Sequence, residues 1–165
     1  MMQVYLPATL AMLQRLVAEG SMSPVNGTAF AVTPTLRESY AEGDDEELAE
    51  VALREAALAS LRLLAADDSA LPPRRVVLAA EVENATYRPD LDDAVVRLAA
   101  PVALDHVVAA YVDNAAAESD VTAAIAAIDA ADLGDEDSEL IVGDAQDHDL
   151  AWYANQELPF LLELL

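Results

Sequence analysis

The spacing of hydrophobic positions in the first third of the chain changes from the period of a strand to that of a helix and back again. Gln3–Leu6 is predicted to be a short strand that ends at Pro7. Thr9 is then expected to cap a helix that continues to about Glu19, because apolar residues recur at helical spacing after it. A second strand is expected around Thr28–Val32. The chain is thus predicted to begin with a β-α-β unit, whose two strands would be parallel because a crossover helix joins parallel strands.

The middle of the chain is predicted to hold a short helix and a long helix. Thr33 and Pro34 open the short one, since proline is favoured at the first helical position. Asp44 and Glu47 have the spacing of a capping box at the start of the long helix, which continues to about Ala66. Its apolar residues lie on more than one side, so this helix is expected to be buried on several faces.

Two strands are predicted after the long helix. Arg75–Val82 has the strongest strand character in the chain, and Ala94–Leu98 is expected to pair with it as a hairpin. Arg74 and Arg75 are interpreted as positive charges at the edge of a strand that compensate the acidic surface of the protein.

The last third of the chain is predicted to alternate between strands and helices. Its predicted elements are a strand at Val108–Val112, a helix at Glu118–Ala130, a loop at Gly134–Ser138, a short edge strand at Glu139–Val142 and a last helix that begins at Asp144 and carries Trp152. No repeat or linker divides the chain. Residues 1–165 are therefore expected to form one α+β domain, a mixed β-sheet with helices packed against it.

Acidic residues dominate the charge of this 165-residue chain. It contains 31 acidic and eight basic residues, and all eight bases are arginine, which gives a net charge of −23. After Arg97 there are 15 acidic residues and no lysine or arginine. Nucleic acids and anionic membranes bind through basic patches, so neither is expected as a partner. The acidity is explained by solubility or by a genome that replaces lysine with arginine; the alternative is that it binds a basic protein.

The chain lacks residues that several common reactions need. It contains no cysteine and no lysine, which excludes disulfides, thiolate catalysis and Schiff-base chemistry. It has no glycine-rich nucleotide motif, no nucleophile elbow and no zinc-binding His-Glu-x-x-His helix, so no cofactor is predicted. No uncharged apolar run reaches the roughly 18 residues of a membrane span, and the N-terminus lacks the basic start of a signal peptide. We therefore expect a cytoplasmic protein that is not an enzyme.

Side chains that could bind a ligand occur in two segments. In the predicted last helix, Asp144, His148 and Trp152 share a face at four-residue spacing, where a carboxylate and an imidazole could form an acid–base pair. Alternatively, the aspartate only caps the helix and the histidine faces solvent. Arg37 and Tyr40 follow a predicted strand, where an arginine can bind a carboxylate or phosphate, although it can equally pair with a neighbouring glutamate. The candidate ligand-binding residues are Arg37, Tyr40, Asp144, His148, Trp152, Tyr153, Gln156 and Glu157.

The acidic segment around residue 135 superficially resembles a calcium-binding loop. An EF-hand that began at Asp135 would place Leu140 where glycine is required and Gln146 where glutamate is required, so an EF-hand is not predicted. A weak divalent-cation site among Asp132, Asp135 and Asp137 remains a hypothesis, beside the interpretation of a solvated loop.

Four stretches of the chain together resemble a family of uncharacterised actinobacterial proteins. These stretches are VYLPATLAML, FAVTPTLRESYAEGDDEELAEVAL, PRRVVLAAEV and LGDEDSELIVGDAQDHDLAWYANQELPFLL. The resemblance covers essentially the whole chain. It implies a cytoplasmic bacterial protein, and it supplies neither a reaction nor catalytic residues.

Taken together, these patterns favour a small non-enzymatic binding or regulatory protein. It is expected to associate with itself through Trp152 and the apolar end Leu158–Leu165, or to bind a basic protein partner. The first alternative is a small enzyme or ligand-binding domain whose pocket lies near Arg37, His148 and Trp152. The second alternative is binding of a divalent cation by the acidic segment 132–149.

Overall fold

The computed structural model of the protein describes residues 1–165, which form nine strands and six α-helices. The strands are β1 (Met2–Ala8), β2 (Ser21–Met22), β3 (Thr28–Phe30), β4 (Val76–Val82), β5 (Ala85–Tyr87), β6 (Val95–Leu98), β7 (Val102–Ala103), β8 (Val107–Val112) and β9 (Ala151–Ala154). The helices are α1 (Leu10–Glu19), α2 (Pro34–Ser39), α3 (Asp45–Ala66), α4 (Glu118–Asp132), α5 (Glu136–Gln146) and α6 (Leu158–Glu163).

Seven of the strands form one sheet in the order β5-β6-β3-β1-β4-β8-β9, and β2 pairs with β7 in a separate small sheet. Every neighbouring pair of strands is antiparallel. The predicted α+β class is confirmed. The prediction of a mixed sheet is wrong, because no parallel pair is present.

The first β-α unit does not lead into a parallel strand. After α1, Gly20 adopts a left-handed conformation and β2 leaves the main sheet. The chain then reverses at Asn26 and Gly27, both with positive φ, so that β3 runs antiparallel to β1. Gly27 is required here, because a Cβ atom would lie 2.7 Å from the carbonyl oxygen of Leu98.

The expected hairpin between the strands at residues 75–82 and 94–98 is also wrong. β4 pairs with β1 and β8, whereas β6 pairs with β3 and with β5. The connection between these two strands contains β5, and β5 forms the hairpin with β6. β4 can therefore occupy the buried centre of the sheet, which suits its continuous apolar run.

Helices cover both faces of the sheet. On one face, α1 and α6 bury Leu6, Leu78 and Ala110. On the other face, α3 buries Tyr5 and Val77, and Tyr111 of β8 packs at the border of this cluster. The far side of α3 packs against α4 and α5 in a third apolar cluster. The prediction that the long helix is buried on more than one face is confirmed.

Three of the predicted helix starts are also confirmed. The side chains of Thr9, Thr33 and Asp44 each accept a hydrogen bond from the backbone N–H three residues later. Such caps satisfy donors that the first turn of a helix leaves free, which is why they are visible in the sequence.

The last third of the chain contains one confirmed pair of elements and one exchange of helix for strand. β8 and α4 lie where a strand and a helix were predicted. Residues 139–142, expected to be an edge strand, belong to α5, and Trp152, expected on a helix, lies on β9. Asp135 caps α5 through the backbone N–H of Ser138, so the helix begins where a loop was expected. It ends at Gln146, before the side chains at 148 and 152 can share its face.

None of the six helices combines the length and the apolar character that crossing a bilayer requires.

Candidate functional site

A cleft of about 440 Å³ opens between α3, the first residue before β4, the middle of β8 and the segment that joins α5 to β9. The cleft lies on the α3 face of the sheet. One of its walls is the segment in which the chain leaves α5 at Gln146 and crosses to the outermost strand, β9. The cleft is lined by Glu50, Leu53, Arg54, Ala57, Arg75, Tyr111, Gln146, His148, Asp149 and Leu150.

Arg75 lies at the base of this cleft and is almost fully buried, with 1% of its surface exposed. Its Nε and Nη2 donate to the two carboxylate oxygens of Asp113 at 2.8 and 2.7 Å, and its backbone N–H donates to the same carboxylate at 2.8 Å. Its Nη1 donates to Oε1 of Gln146 at 2.8 Å, and its Nη2 also donates to the carbonyl oxygen of His148 at 3.0 Å. One side chain therefore joins β4, the end of β8, the end of α5 and the segment before β9.

The interpretation of Arg75 as a charge at a strand edge is wrong. It stands immediately before β4, and Asp113 stands immediately after β8. These strands are antiparallel neighbours with Val76 opposite Val112, so the start of one meets the end of the other. The sequence does contain a signal for this ion pair: an arginine directly before one apolar strand and an aspartate directly after another. The signal can be used only when it is known that the two strands pair. Arg74 is less buried and pairs with Glu118 at 3.0 Å.

Arg54 and Gln146 close one side of the cleft through two hydrogen bonds. The Nη1 of Arg54 donates to the carbonyl oxygen of Gln146 at 3.2 Å, and the Nε2 of Gln146 donates to the carbonyl oxygen of Arg54 at 3.1 Å. These bonds attach the end of α5 to the middle of α3. No carboxylate lies within 4.0 Å of the Arg54 guanidinium, so Arg54 forms no ion pair. Its charge acts at longer range on the adjacent Glu55, where it opposes the rise in pKa that burial of that carboxyl group causes.

His148 is the one predicted site residue that lines this cleft. Its Nε2 lies 2.7 Å from Oδ2 of Asp120, and the two side chains are 30% and 46% exposed. An imidazole bonded to a carboxylate can move a proton. The lining contains no serine, threonine or cysteine, so the usual hydroxyl and thiol nucleophiles for covalent catalysis are missing.

The structure does not bring Arg37 and Tyr40 to His148. Arg37 on α2 pairs with Asp45 at 2.6 Å in an exposed position, and this guanidinium lowers the pKa of Asp45 through a hydrogen bond and through its charge. Tyr40 lines a separate shallow cavity beside Asp92, away from the cleft.

The other predicted site residues are dispersed around β9. Trp152 and Tyr153 point to opposite faces of the sheet: the tryptophan is 57% exposed, whereas the tyrosine packs against the core on the α1 side. Glu157 accepts a hydrogen bond from the backbone N–H of Ala154 at 3.0 Å, which holds the turn after the strand. Asp144 is exposed on α5, and Gln156 is exposed in the same turn.

The acidic segment does not assemble a metal site. Asp132 is bonded to Arg62 through both carboxylate oxygens at 2.9 Å, and Asp135 accepts hydrogen bonds from the backbone and hydroxyl of Ser138. These partners lower the pKa of both carboxyl groups. No group of three or more histidine or acidic side chains is arranged to hold a metal ion. The geometry gives the cation-binding alternative no ligand set.

The fold and the cleft define an antiparallel α+β domain with a polar cleft beside an open sheet edge. The chain belongs to the Family of unknown function (DUF6912), which it matches over residues 2–162. The resemblance to a family of uncharacterised proteins is thereby confirmed. No curated protein and no solved structure matches the chain.

Proposed function

We propose that this protein is a non-enzymatic cytoplasmic binding domain that associates with a second copy of itself through the open edge of β9. The observation that carries the proposal is Trp152, which is 57% exposed on a strand at the end of the sheet. Exposed edge strands usually carry charges or proline that prevent further pairing, and β9, with the sequence AWYA, carries neither. Addition of a strand to such an edge is a common mode of association.

A twofold axis perpendicular to the sheet makes this edge self-complementary. Such an axis keeps each residue on its own face of the joined sheet. We place it at Trp152, so that Trp152 of one copy lies opposite Trp152 of the other. Directly opposed aromatic side chains stabilise antiparallel strands.

The short edge is supported by apolar residues of α6, which follows β9 after one turn. Leu158 and Leu161 of this helix are buried in the core, whereas Phe160 on the helix and Leu164 directly after it are exposed by 67% and 85%. A pair of four-residue strands is smaller than the roughly 1,200 Å² interface of a stable complex. The proposal therefore assigns further apolar contacts in the dimer to the exposed Phe160 and Leu164.

Sedimentation velocity of the full chain tests this proposal. The wild-type protein is expected to sediment as a concentration-dependent monomer–dimer system. Trp152→Asp is expected to remain monomeric, because a charge at the centre of the joined edge would be buried without a partner. Phe160→Asp is expected to weaken the dimer less severely.

The matched control for these variants is Leu133→Asp at the turn between α4 and α5. Leu133 is 90% exposed and lies in a different element, so the same change there is expected to leave dimerisation unaltered. A wild-type protein that stays monomeric at high concentration, or a Trp152→Asp variant that dimerises like the wild type, would overturn the proposal.

The acidic end of the molecule supports a second candidate, binding of a basic protein. Leu133 and Leu140 are 90% and 70% exposed among the acidic residues of α4 and α5. A synthetic amphipathic peptide of leucine and lysine is expected to bind there, and Leu133→Asp is expected to weaken binding although it adds a negative charge. Equal or tighter binding by Leu133→Asp would show that charge alone attracts the peptide and would remove this candidate.

A further inference from the structure

We propose that the cleft between α3 and the segment before β9 binds a small zwitterion, an amino acid with a carboxylate, an ammonium group and an apolar side chain. This inference does not depend on self-association, because the cleft is formed within one chain. The inference rests on a comparison of the charged side chains around the cleft that have a partner within the chain with those that have none.

Two pairs of polar side chains at the cleft already contact each other. Arg75 is held by Asp113, and His148 lies against Asp120. These groups define the walls, and the arginine also fixes the carbonyl of His148 and the side chain of Gln146. Arg75 is therefore a positioning residue for the cleft, with most of its donors already used.

Glu50 and Arg54 both line the cleft, and neither forms an ion pair within the chain. They lie one turn apart on α3, at the spacing and in the order in which glutamate and arginine usually pair. No nitrogen of Arg54 lies within 4.0 Å of the Glu50 carboxylate. The guanidinium instead donates one hydrogen bond to the carbonyl of Gln146, and most of its five N–H donors remain available. The two opposite charges thus face the cleft separately.

Asp149 adds a second free carboxylate on the other wall. It lies in the segment between α5 and β9, and no arginine or histidine pairs with it or with Glu50. An ammonium group can be bound by these two carboxylates, and a carboxylate can be bound by Arg54. A simple anion would meet both acids on a chain of net charge −23, and a simple cation would leave Arg54 unpaired. A zwitterion matches both signs.

The remaining lining is apolar and sets the ligand's size. Leu53, Tyr111 and Leu150 form a hydrophobic part of the wall. The volume of about 440 Å³ lies toward the small end of ligand pockets. Such a cleft accommodates a single amino acid whose side chain contacts these residues.

Calorimetric titration of the full chain with each proteinogenic amino acid tests the inference. At least one apolar amino acid is expected to bind. Its decarboxylated amine and its deaminated acid are each expected to bind about tenfold or more weakly, because each lacks one charge-assisted contact. If no amino acid binds, or if the amine alone binds as tightly as the amino acid, the proposal is overturned.

Neutral variants on α3 locate the binding in the cleft. Arg54→Gln and Glu50→Gln are each expected to weaken binding about tenfold. Glu50→Gln is expected to leave the melting temperature unchanged, because the exposed Glu50 forms no ion pair, whereas Arg54→Gln also removes the hydrogen bond to Gln146 and is expected to lower the melting temperature slightly. Arg15→Gln on α1 and Glu46→Gln in the first turn of α3 are the matched controls and are expected to bind like the wild type. Wild-type affinity in both cleft variants would place the ligand elsewhere and contradict the proposal.

Discussion

At the scale of single residues, Arg75 and Asp113 are the polar centre of the fold. Both are almost fully buried, and an ionised group in the interior is costly unless its hydrogen-bonding capacity is met. Here the carboxylate accepts three hydrogen bonds and the guanidinium has two further acceptors. The hydrogen-bonding capacity and the charge of the two side chains are therefore satisfied only when both are present.

Removal of one partner is predicted to be more damaging than removal of both. Asp113→Ala leaves the guanidinium buried without a counterion and is expected to cost about 3–5 kcal/mol of unfolding free energy. The double variant Arg75→Met with Asp113→Ala is expected to recover part of this loss. Urea unfolding at neutral pH measures both. A single variant that costs under about 1 kcal/mol would show that the pair is not isolated from water.

These two residues also show where sequence reasoning stops at this scale. The helix caps Thr9, Thr33 and Asp44 act within three residues, so their partners are known as soon as the helix is known. The partner of Arg75 is 38 residues away and is set by strand pairing. The cleft could not be assembled from the sequence for the same reason, and only His148 among the predicted site residues lines it.

At the scale of elements, arginines from α3 attach the acidic C-terminal helices to the rest of the fold. Arg62 pairs with Asp132 at the end of α4, and Arg54 bonds to the last residue of α5. Basic side chains near a helix C-terminus also compensate its partial negative charge. The absence of lysine and arginine after Arg97 is thus partly offset by arginines that come before it.

The contact between α3 and α4 is predicted to depend on pH. Arg62 lowers the pKa of Asp132, so the pair contributes stability above the ordinary pKa of aspartate and loses it as the pH falls through the lowered value. Asp132→Asn is expected to lower the melting temperature slightly at pH 7 and to match the wild type in strong acid.

Asp129→Asn, one turn earlier on α4 and outside the ion pairs, is the control for this effect and is expected to change little at either pH. Thermal unfolding followed by circular dichroism provides the measurement. A difference between Asp132→Asn and the wild type that persists in strong acid would contradict the ion-pair explanation.

The exchange of helix and strand near the C-terminus has a physical cause at the same scale. Residues 140–142 form a short apolar run, and such a run does not distinguish a buried strand from a turn of helix. The four-residue spacing of Asp144, His148 and Trp152 mimics a helical face, although α5 ends at Gln146. The packing of α5 against α3 and of β9 against β8 decides both assignments, and neither contact is local in the sequence.

At the scale of the whole molecule, charge opposes both compaction and self-association. A net charge of −23 on 165 residues produces repulsion within one chain and between two copies.

The antiparallel topology is also a property of the whole molecule and was not predictable from the sequence. The reversal before β3 and the placement of β5 depend on which strand edges remain open in the complete sheet.

Added salt is predicted to raise the melting temperature and to strengthen the proposed self-association, because it screens this repulsion. Calcium chloride and sodium chloride at equal ionic strength are expected to give the same melting temperature, since no set of carboxylates is arranged to hold the ion. A larger rise with calcium would restore the cation-binding alternative.

The most direct test of the account uses the two edges of the sheet, which serve as site and control within one molecule. Hydrogen–deuterium exchange should be followed for β9 and β5 at low and high protein concentration. The account predicts that amides of β9 become protected as concentration rises, while those of β5 exchange at an unchanged rate. Exchange in β9 that is independent of concentration, or equal protection of both edges, would contradict it.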